Sequence, residues 1–374
     1  MKILGFGKIT AAILLAAGCS GCSSSRGDNA PPGDGSLDPA VPYNSGGPGT
    51  SYAVGDTMIS GALVDTGQGG GSDAAVSKMT AGLWDDNANF DVFKQFVAQQ
   101  AQIYPDSLPA FDLASIQAAH DASLQRVGSN SIDIALVLDT TSSMSDELSY
   151  LQTEFEGISS SVTQKFPNVA TRWSLVLYRD IGDEYVTRAF DFTTNVESFR
   201  ANLAAQSSDG GGDEPEDVPA ALGLALNGSW RGAPAAQTLI WVTDAPHHDN
   251  DATAVRDLLS QSRARGIHIY PVAASSANAL AEATMRIAAQ ITTGRYLFLT
   301  DDSGIGNSHS EPKVPCYIVT TLGDAITRSI AMELSGNYVE PTPSSIVRIV
   351  GKPNGATCDN VTNSQTDAGV AQTQ

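Results

Sequence analysis

Residues 132–144 read I-D-I-A-L-V-L-D-T-T-S-S-M, an apolar run that ends in a carboxylate and continues into hydroxyl side chains. The apolar run predicts a buried β-strand, and Asp139 stands where that strand would end. Thr141 and Ser143 follow at alternate positions. A buried strand that delivers an acid and two hydroxyls to its carboxyl end offers the oxygen ligands that hard divalent cations prefer.

From residue 131 onward, apolar runs alternate with amphipathic segments. The predicted strands cover residues 132–138, 172–178, 185–192, 238–243, 267–272 and 296–299. The predicted helices cover residues 146–166, 196–205, 218–226, 252–264, 279–290 and 320–334. This alternation predicts an α/β fold, a doubly wound and mostly parallel central sheet with helices on both faces. In such folds, ligands bind beyond the carboxyl ends of the strands.

Two further loops place side-chain oxygens at predicted strand ends. Residues 243–249 read T-D-A-P-H-H-D, and Asp244 there directly follows the apolar run L-I-W-V-T. Residues 207–218 read S-S-D-G-G-G-D-E-P-E-D-V, a glycine-rich loop with crowded carboxylates. Because the carboxyl ends of parallel strands share one edge of a sheet, we expect the three loops to meet at one site.

The order of these motifs resembles the von Willebrand factor type A (vWA) domain with its metal-ion-dependent adhesion site (MIDAS). The shared order is D-x-T-x-S, then an acidic glycine loop, then a strand-terminal aspartate, and the resemblance covers roughly residues 128–334. The segments G-G-G-D-E-P-E-D-V, T-D-A-P-H-H and F-L-T-D-D-S-G-I-G are similar to the bacterial exported branch of that family. The resemblance implies metal-dependent binding or adhesion to a protein or cell-surface ligand.

The resemblance also implies a metal site built from side-chain oxygens at strand ends: Asp139, Thr141, Ser143 and Asp244. The middle loop departs from many family members, which have a threonine there. We predict Asp213 as the middle ligand and Glu216 as the second choice, either of them acting through water. The oxygen set fits Mg²⁺, with Mn²⁺ or Ca²⁺ as alternatives. An acidic side chain of a partner would complete the coordination shell.

An enzymatic alternative starts from the same aspartate. An aspartate at the end of a first strand also resembles the haloacid-dehalogenase-type (HAD-like) phosphatases, in which it is the phosphate-accepting nucleophile. Asp301 and Asp302 would then mimic the metal acids of that family. Against this, Thr141 stands where a general acid is expected, and no lysine lies between Lys165 and Lys313. We predict a non-enzymatic protein, with a phosphatase or a structural envelope-assembly scaffold with a vestigial metal site as alternatives.

The first residues have the pattern of a bacterial export signal. A positively charged start precedes residues 9–17, an apolar run too short to span a bilayer. The sequence L-A-A-G-C at residues 15–19 resembles a lipobox. We predict a signal peptide over residues 1–19 and lipidation of Cys19, with anchoring in the cell envelope, at the outer membrane if the organism is Gram-negative. Ordinary secretion is the alternative.

The remaining segments divide by composition. Residues 20–50 predict a flexible linker. Residues 51–127 predict a small N-terminal leader region with an amphipathic helix that begins near Asn89. The vWA-like domain is predicted over residues 128–338 and a disordered tail over residues 339–374.

The overall charge and the cysteines limit the partners and the compartment. The 374 residues include 41 acidic and 21 basic side chains, a formal net charge of −20. Such a surface repels phosphate backbones and anionic lipids, which argues against nucleic-acid binding and against membrane contact other than through a lipid anchor.

In an oxidising compartment Cys316 and Cys358 could form a disulfide. The alternative is a buried thiol at Cys316 and a solvated thiol at Cys358.

Overall fold

The computed structural model describes residues 78–359 of the chain. The predicted signal peptide, Cys19, the linker and the first part of the leader region lie outside the described residues, as does the tail from residue 360. No helix within residues 78–359 is both long and apolar enough to cross a membrane.

The described residues form a nine-stranded sheet with the order β4-β3-β2-β5-β6-β7-β1-β8-β9. In chain order the strands are β1 (Thr80–Trp84), β2 (Ser131–Asp139), β3 (Ala170–Tyr178), β4 (Thr187–Thr193), β5 (Ala236–Thr243), β6 (Ile267–Ala273), β7 (Tyr296–Thr300), β8 (Tyr317–Thr321) and β9 (Arg348–Val350). The five central strands, β3, β2, β5, β6 and β7, are parallel to one another. A separate short ladder joins β10 (Pro353–Asn354) to β11 (Thr357–Cys358).

Helices cover both faces of the sheet. They are α1 (Phe90–Ile103), α2 (Leu113–Ser123), α3 (Ser145–Lys165), α4 (Val196–Ala204), α5 (Val218–Leu226), α6 (Ala252–Arg265), α7 (Ala279–Ile291) and α8 (Leu322–Ser335). Side chains of β2 alternate between two cores, with Val137 packed on the face of α5, α6 and α7 and Leu138 on the face of α3, α4 and α8. The predicted doubly wound α/β fold is confirmed.

Strand β1 was not predicted, and it lies inside the sheet, antiparallel to both β7 and β8. Asp86 pairs with Arg286 at 2.8 Å and Asp85 pairs with Arg295 at 2.7 Å, so buried ion pairs fix the turn that follows β1. The described part of the predicted leader region therefore belongs to the same sheet as the predicted domain. Residue 128 does not mark a structural boundary.

The chain beyond residue 339 also contributes to the fold. Strand β9 pairs with β8, and neither strand was predicted from the sequence. A disulfide joins Cys316, next to β8, to Cys358 in β11, with their Cα atoms 5.9 Å apart. The prediction of a disordered tail is therefore wrong as far as residue 359. The error arose because the apolar run I-V-R-I-V at residues 346–350 is short and lies within a segment rich in proline, glycine and threonine, and only its last three residues form β9.

The position of β1 can be tested at Gly82. A Cβ atom at this residue would lie 2.3 Å from the ring of Phe298, so Gly82→Ala should lower the free energy of unfolding by about 1–3 kcal/mol. Gly157 on α3 is the control, because a Cβ there would have no atom within 4 Å. Gly157→Ala should be neutral or stabilise by up to about 1 kcal/mol. Urea unfolding of both variants measures the difference, and equal effects would contradict this placement of β1.

Candidate metal-binding site

Asp139 organises the loop that leaves β2. Its side chain is 0% exposed, although it carries a carboxylate at the end of the strand. One oxygen, Oδ1, accepts hydrogen bonds from the backbone N–H of Thr141 at 3.0 Å and from Thr141 Oγ1 at 2.7 Å. The other, Oδ2, accepts from Thr243 Oγ1 at 2.7 Å. The two strand ends of β2 and β5 are thus joined through one buried carboxylate.

The two predicted hydroxyl ligands lie side by side. Thr141 Oγ1 is 3.3 Å from Ser143 Oγ, because the short 3₁₀ turn Ser142–Met144 curls the chain back before α3 begins. Thr141 is buried and Ser143 is exposed. One hydroxyl of the pair is therefore buried, and the other lies at the surface.

Asp244 follows the last residue of β5 and is half-buried. Its Oδ1 is buried and has no hydrogen-bond partner in the protein. Burial, followed by the negative charge of Asp139, raises the pKa of Asp244 to about 7. A hydrogen bond with Ser143 opposes this rise, which places Asp244 beside the hydroxyl pair.

The middle loop brings Glu216 to the site and leaves Asp213 exposed on the surface. Glu216 is 2% exposed, and its Oε2 has no partner in the protein. Burial and then the charge of Asp139 raise the pKa of Glu216 to about 9. The backbone N–H of Glu216 donates to the carbonyl oxygen of Pro246 at 2.9 Å, which ties the middle loop to the Asp244 loop. The geometry favours Glu216 over Asp213 as the ligand from the middle loop, whereas the sequence alone favours Asp213.

Glycine at residue 211 lets the middle loop approach the first loop. Its φ is +72°, and a Cβ there would lie 2.9 Å from Thr141 Cβ and 3.3 Å from Glu216 Oε1.

Arg179, which is 2% exposed, connects the first loop to the middle loop. It donates from Nε to the carbonyl oxygen of Thr140 at 3.1 Å and from Nη2 to that of Ser207 at 2.8 Å. Its closest carboxylate within residues 78–359 is that of Glu184, at 3.6 Å, so the main role of Arg179 is to hold the loops together.

The nearby histidines have partners within the protein. His248 Nε2 lies 2.6 Å from Asp180 Oδ1, and His247 Nε2 lies 3.3 Å from Thr284 Oγ1. Asp302, one of the two candidate phosphatase metal acids, pairs with Arg348 at 2.8 Å. The hydrogen-bond and ion-pair partners of these three side chains are therefore residues other than Thr141 and Ser143.

One carboxylate of this region was missed in the sequence. Glu147 lies in the first turn of α3 and is 1% exposed. Its negative charge contributes to the raised pKa of both Asp139 and Asp244, so it lies close to the site. An acidic residue in the first turn of a helix usually serves the helix dipole at the surface, and the sequence offers no signal that this one is buried.

A divalent cation fits this set of oxygens. The carboxylates of Asp244 and Glu216 each have a buried oxygen without a partner in the described residues. Burial, and then the negative charge of Asp139, raises the pKa of both, and a bound cation would stabilise their ionised forms. Within residues 78–359, no three His, Cys, Asp or Glu side chains lie close enough to hold one ion together. The hydroxyls of Thr141 and Ser143, 3.3 Å apart, could hold such an ion directly, and the carboxylates could act on it through water.

Comparison with protein families gives one match within the described residues. Residues 133–304 match the sequence model of the family described as von Willebrand factor A domain. The matched residues contain the three loops that meet at the hydroxyl pair.

BatB and SpaC are two of the solved structures that resemble this chain. Protein BatB from Bacteroides thetaiotaomicron, titled a conserved hypothetical protein, is 15% identical, with coverage of 54% of this chain and 98% of that chain and a TM-score of 0.36. The pilus adhesin SpaC from Lactobacillus rhamnosus GG is 10% identical, with a TM-score of 0.35. That match covers 45% of this chain and only 28% of SpaC. No curated protein matches the chain at a significant level.

The unpaired carboxylates predict a pH effect in chelator. The pKa of Glu216, at about 9, exceeds the value of about 4.3 in an unfolded chain, so the folded state retains a proton that the unfolded state releases. The stabilisation is complete below about pH 4 and is lost as the pH rises through about 9. Wild type should therefore lose stability relative to Glu216→Gln between pH 5 and pH 9, as measured by urea unfolding in EDTA. The exposed neighbour variant Glu214→Gln is the control, and a pH-independent difference for Glu216→Gln would contradict the assignment.

Proposed function

We propose that the vWA-like domain is a metal-dependent binding or adhesion module. The metal ion is Mg²⁺, or alternatively Mn²⁺ or Ca²⁺, held by the hydroxyls of Thr141 and Ser143. Asp139 orients Thr141, while Asp244 and Glu216 act on the ion through water. The observation that carries the proposal is the pair of buried, unpartnered carboxylate oxygens next to two adjacent hydroxyls at the carboxyl edge of the sheet.

The partner is a protein or cell-surface ligand that bears an acidic side chain. When bound, the cation supplies an electrophilic site for an oxygen of that side chain, because two neutral hydroxyls leave its charge largely uncompensated. Ser143 is exposed, so a partner can approach from this side. The protein contributes a rigid frame, since Asp139 and Arg179 fix the loops before any partner arrives.

The geometry at Asp139 argues against the phosphatase alternative. A nucleophilic carboxylate needs a free oxygen that can reach a substrate. Both oxygens of Asp139 accept hydrogen bonds inside the protein, and the side chain is 0% exposed. We therefore propose a non-enzymatic role for the site.

The proposal includes export of the protein. Cleavage after residue 18 of the predicted signal peptide would leave Cys19 as a lipidated N-terminus on the cell envelope. The predicted linker over residues 20–50 would then separate the anchor from the binding domain. This arrangement suits a module that meets partners at the cell surface. Secretion without a lipid anchor is the alternative.

Calorimetric titration with Mg²⁺ tests the metal site. Wild type should bind, and Ser143→Ala should weaken binding, because it removes an exposed hydroxyl ligand without disturbing the buried network. Asp139→Ala should abolish binding, since Thr141 loses the carboxylate that orients it. Asp121→Ala, at an exposed position on α2, is the matched control and should bind as wild type does. Wild-type affinity in both Ser143→Ala and Asp139→Ala would refute the site.

Capture of partners from envelope extracts tests the binding role. We expect partners to be retained by wild type in Mg²⁺ and lost in chelator or with Ser143→Ala. Capture that is equal in Mg²⁺ and in chelator would instead favour the scaffold with a vestigial metal site.

A further inference from the structure

Glu147 is held firmly by one of its oxygens and unpartnered at the other. Its Oε1 accepts hydrogen bonds from the backbone N–H of Ser275, at 3.1 Å, and from the hydroxyl of Ser275. Its Oε2 is buried and has no partner in the protein. A buried carboxylate oxygen without a partner costs free energy, so this position calls for a function or a bound group.

Ser275 connects Glu147 to a distant loop. It follows β6, and its Oγ lies 3.2 Å from Nε2 of His309. The other ring nitrogen of His309, Nδ1, lies 2.9 Å from Asp301 Oδ1, and the backbone N–H of His309 donates to the same oxygen at 2.9 Å. A continuous series of contacts therefore runs from the loop after β7 to the carboxylate in the first turn of α3.

The order Ser275, His309 and Asp301 has the contacts of a catalytic triad, yet the surroundings do not suit a nucleophile. Ser275 is 2% exposed, so a substrate cannot reach its hydroxyl. That hydroxyl also donates to the carboxylate of Glu147, which competes with His309 for its proton. The three side chains instead form a support for Glu147.

We propose that Glu147 is a positioning residue of the metal site and that Ser275 and His309 hold it in place. The inference rests on the metal site proposed above. Glu147 lies four residues after Ser143, in the first turn of α3. Its partner Ser275 follows Ala274, whose backbone N–H donates to the carbonyl oxygen of Thr243 at the end of β5, at 2.9 Å. The free oxygen of Glu147 would accept a hydrogen bond from a water molecule on a bound cation. The loop that carries Asp301 and His309 thereby affects the affinity for the metal without touching it.

Metal affinity of the full chain tests the role of Glu147. Glu147→Gln should bind Mg²⁺ about 10–100-fold more weakly than wild type in calorimetric titration, the usual effect of losing a group that hydrogen-bonds to the ligands of a metal ion. Glu156→Gln is the matched control, because it removes an exposed carboxylate from the same helix, and it should bind as wild type does. Wild-type affinity in Glu147→Gln would overturn the inference.

Thermal unfolding in EDTA separates positioning from a purely structural role. Glu147→Gln should unfold at or above the wild-type temperature without metal, since it replaces an unsatisfied buried carboxylate by a neutral group of the same shape. A purely structural role predicts the opposite, a loss of stability in EDTA with unchanged metal affinity. That result would overturn the inference.

A second pair of variants tests the support without changing Glu147. His309→Ala should weaken Mg²⁺ binding, and His309→Gln should restore part of the affinity, because its amide can still contact Ser275. Equal, wild-type affinity in both would show that the loop does not position Glu147.

Asp139→Ala, measured alongside, separates the proposed metal site from the proposed role of Glu147. Failure of wild type to bind metal rejects the site, whereas binding by wild type and by Glu147→Gln, but not by Asp139→Ala, rejects only the role of Glu147.

Discussion

The hydrogen bonds to the buried carboxylate of Asp139 are the constraint on which the site depends. One oxygen orients the first loop through Thr141, and the other reaches across to Thr243 at the end of the neighbouring strand β5. Because β2 and β5 are parallel and adjacent, this single side chain joins two of the loops that the fold places at one edge. Arg179 joins the middle loop to the first loop, because it donates to the carbonyl oxygens of Thr140 and Ser207. The hydroxyl pair is therefore preorganised before any ligand binds.

The same edge of the sheet gathers carboxyl groups that lack arginine or lysine partners among the described residues. Asp244, Glu216 and Glu147 each have a buried oxygen that the protein does not satisfy. Elsewhere in the described residues, buried carboxylates such as Asp86 and Glu333 have arginine partners. This contrast supports the proposed metal site, because buried carboxylates without partners destabilise the fold unless a bound group compensates them. A bound cation is the simplest such group.

The sequence was sufficient for the central strands, whose long apolar runs end in residues such as Asp139 and Asp244. It was insufficient where a strand is short or its partners are remote. Strand β1 depends on Asp85 and Asp86 meeting Arg295 and Arg286, about 200 residues away along the chain. The choice of Glu216 over Asp213 depends on which carboxylate a turn buries, a property that composition does not encode. Glu147 was missed for the same reason.

The most direct test is the position of a bound metal in crystals of the protein grown with Mn²⁺, located by its anomalous scattering. The account predicts a single ion within about 2.0–2.3 Å of the hydroxyl oxygens of Thr141 and Ser143, with water between the ion and the carboxylates of Asp244 and Glu216. An ion elsewhere, or an empty site at Mn²⁺ concentrations that saturate binding in solution, would contradict it.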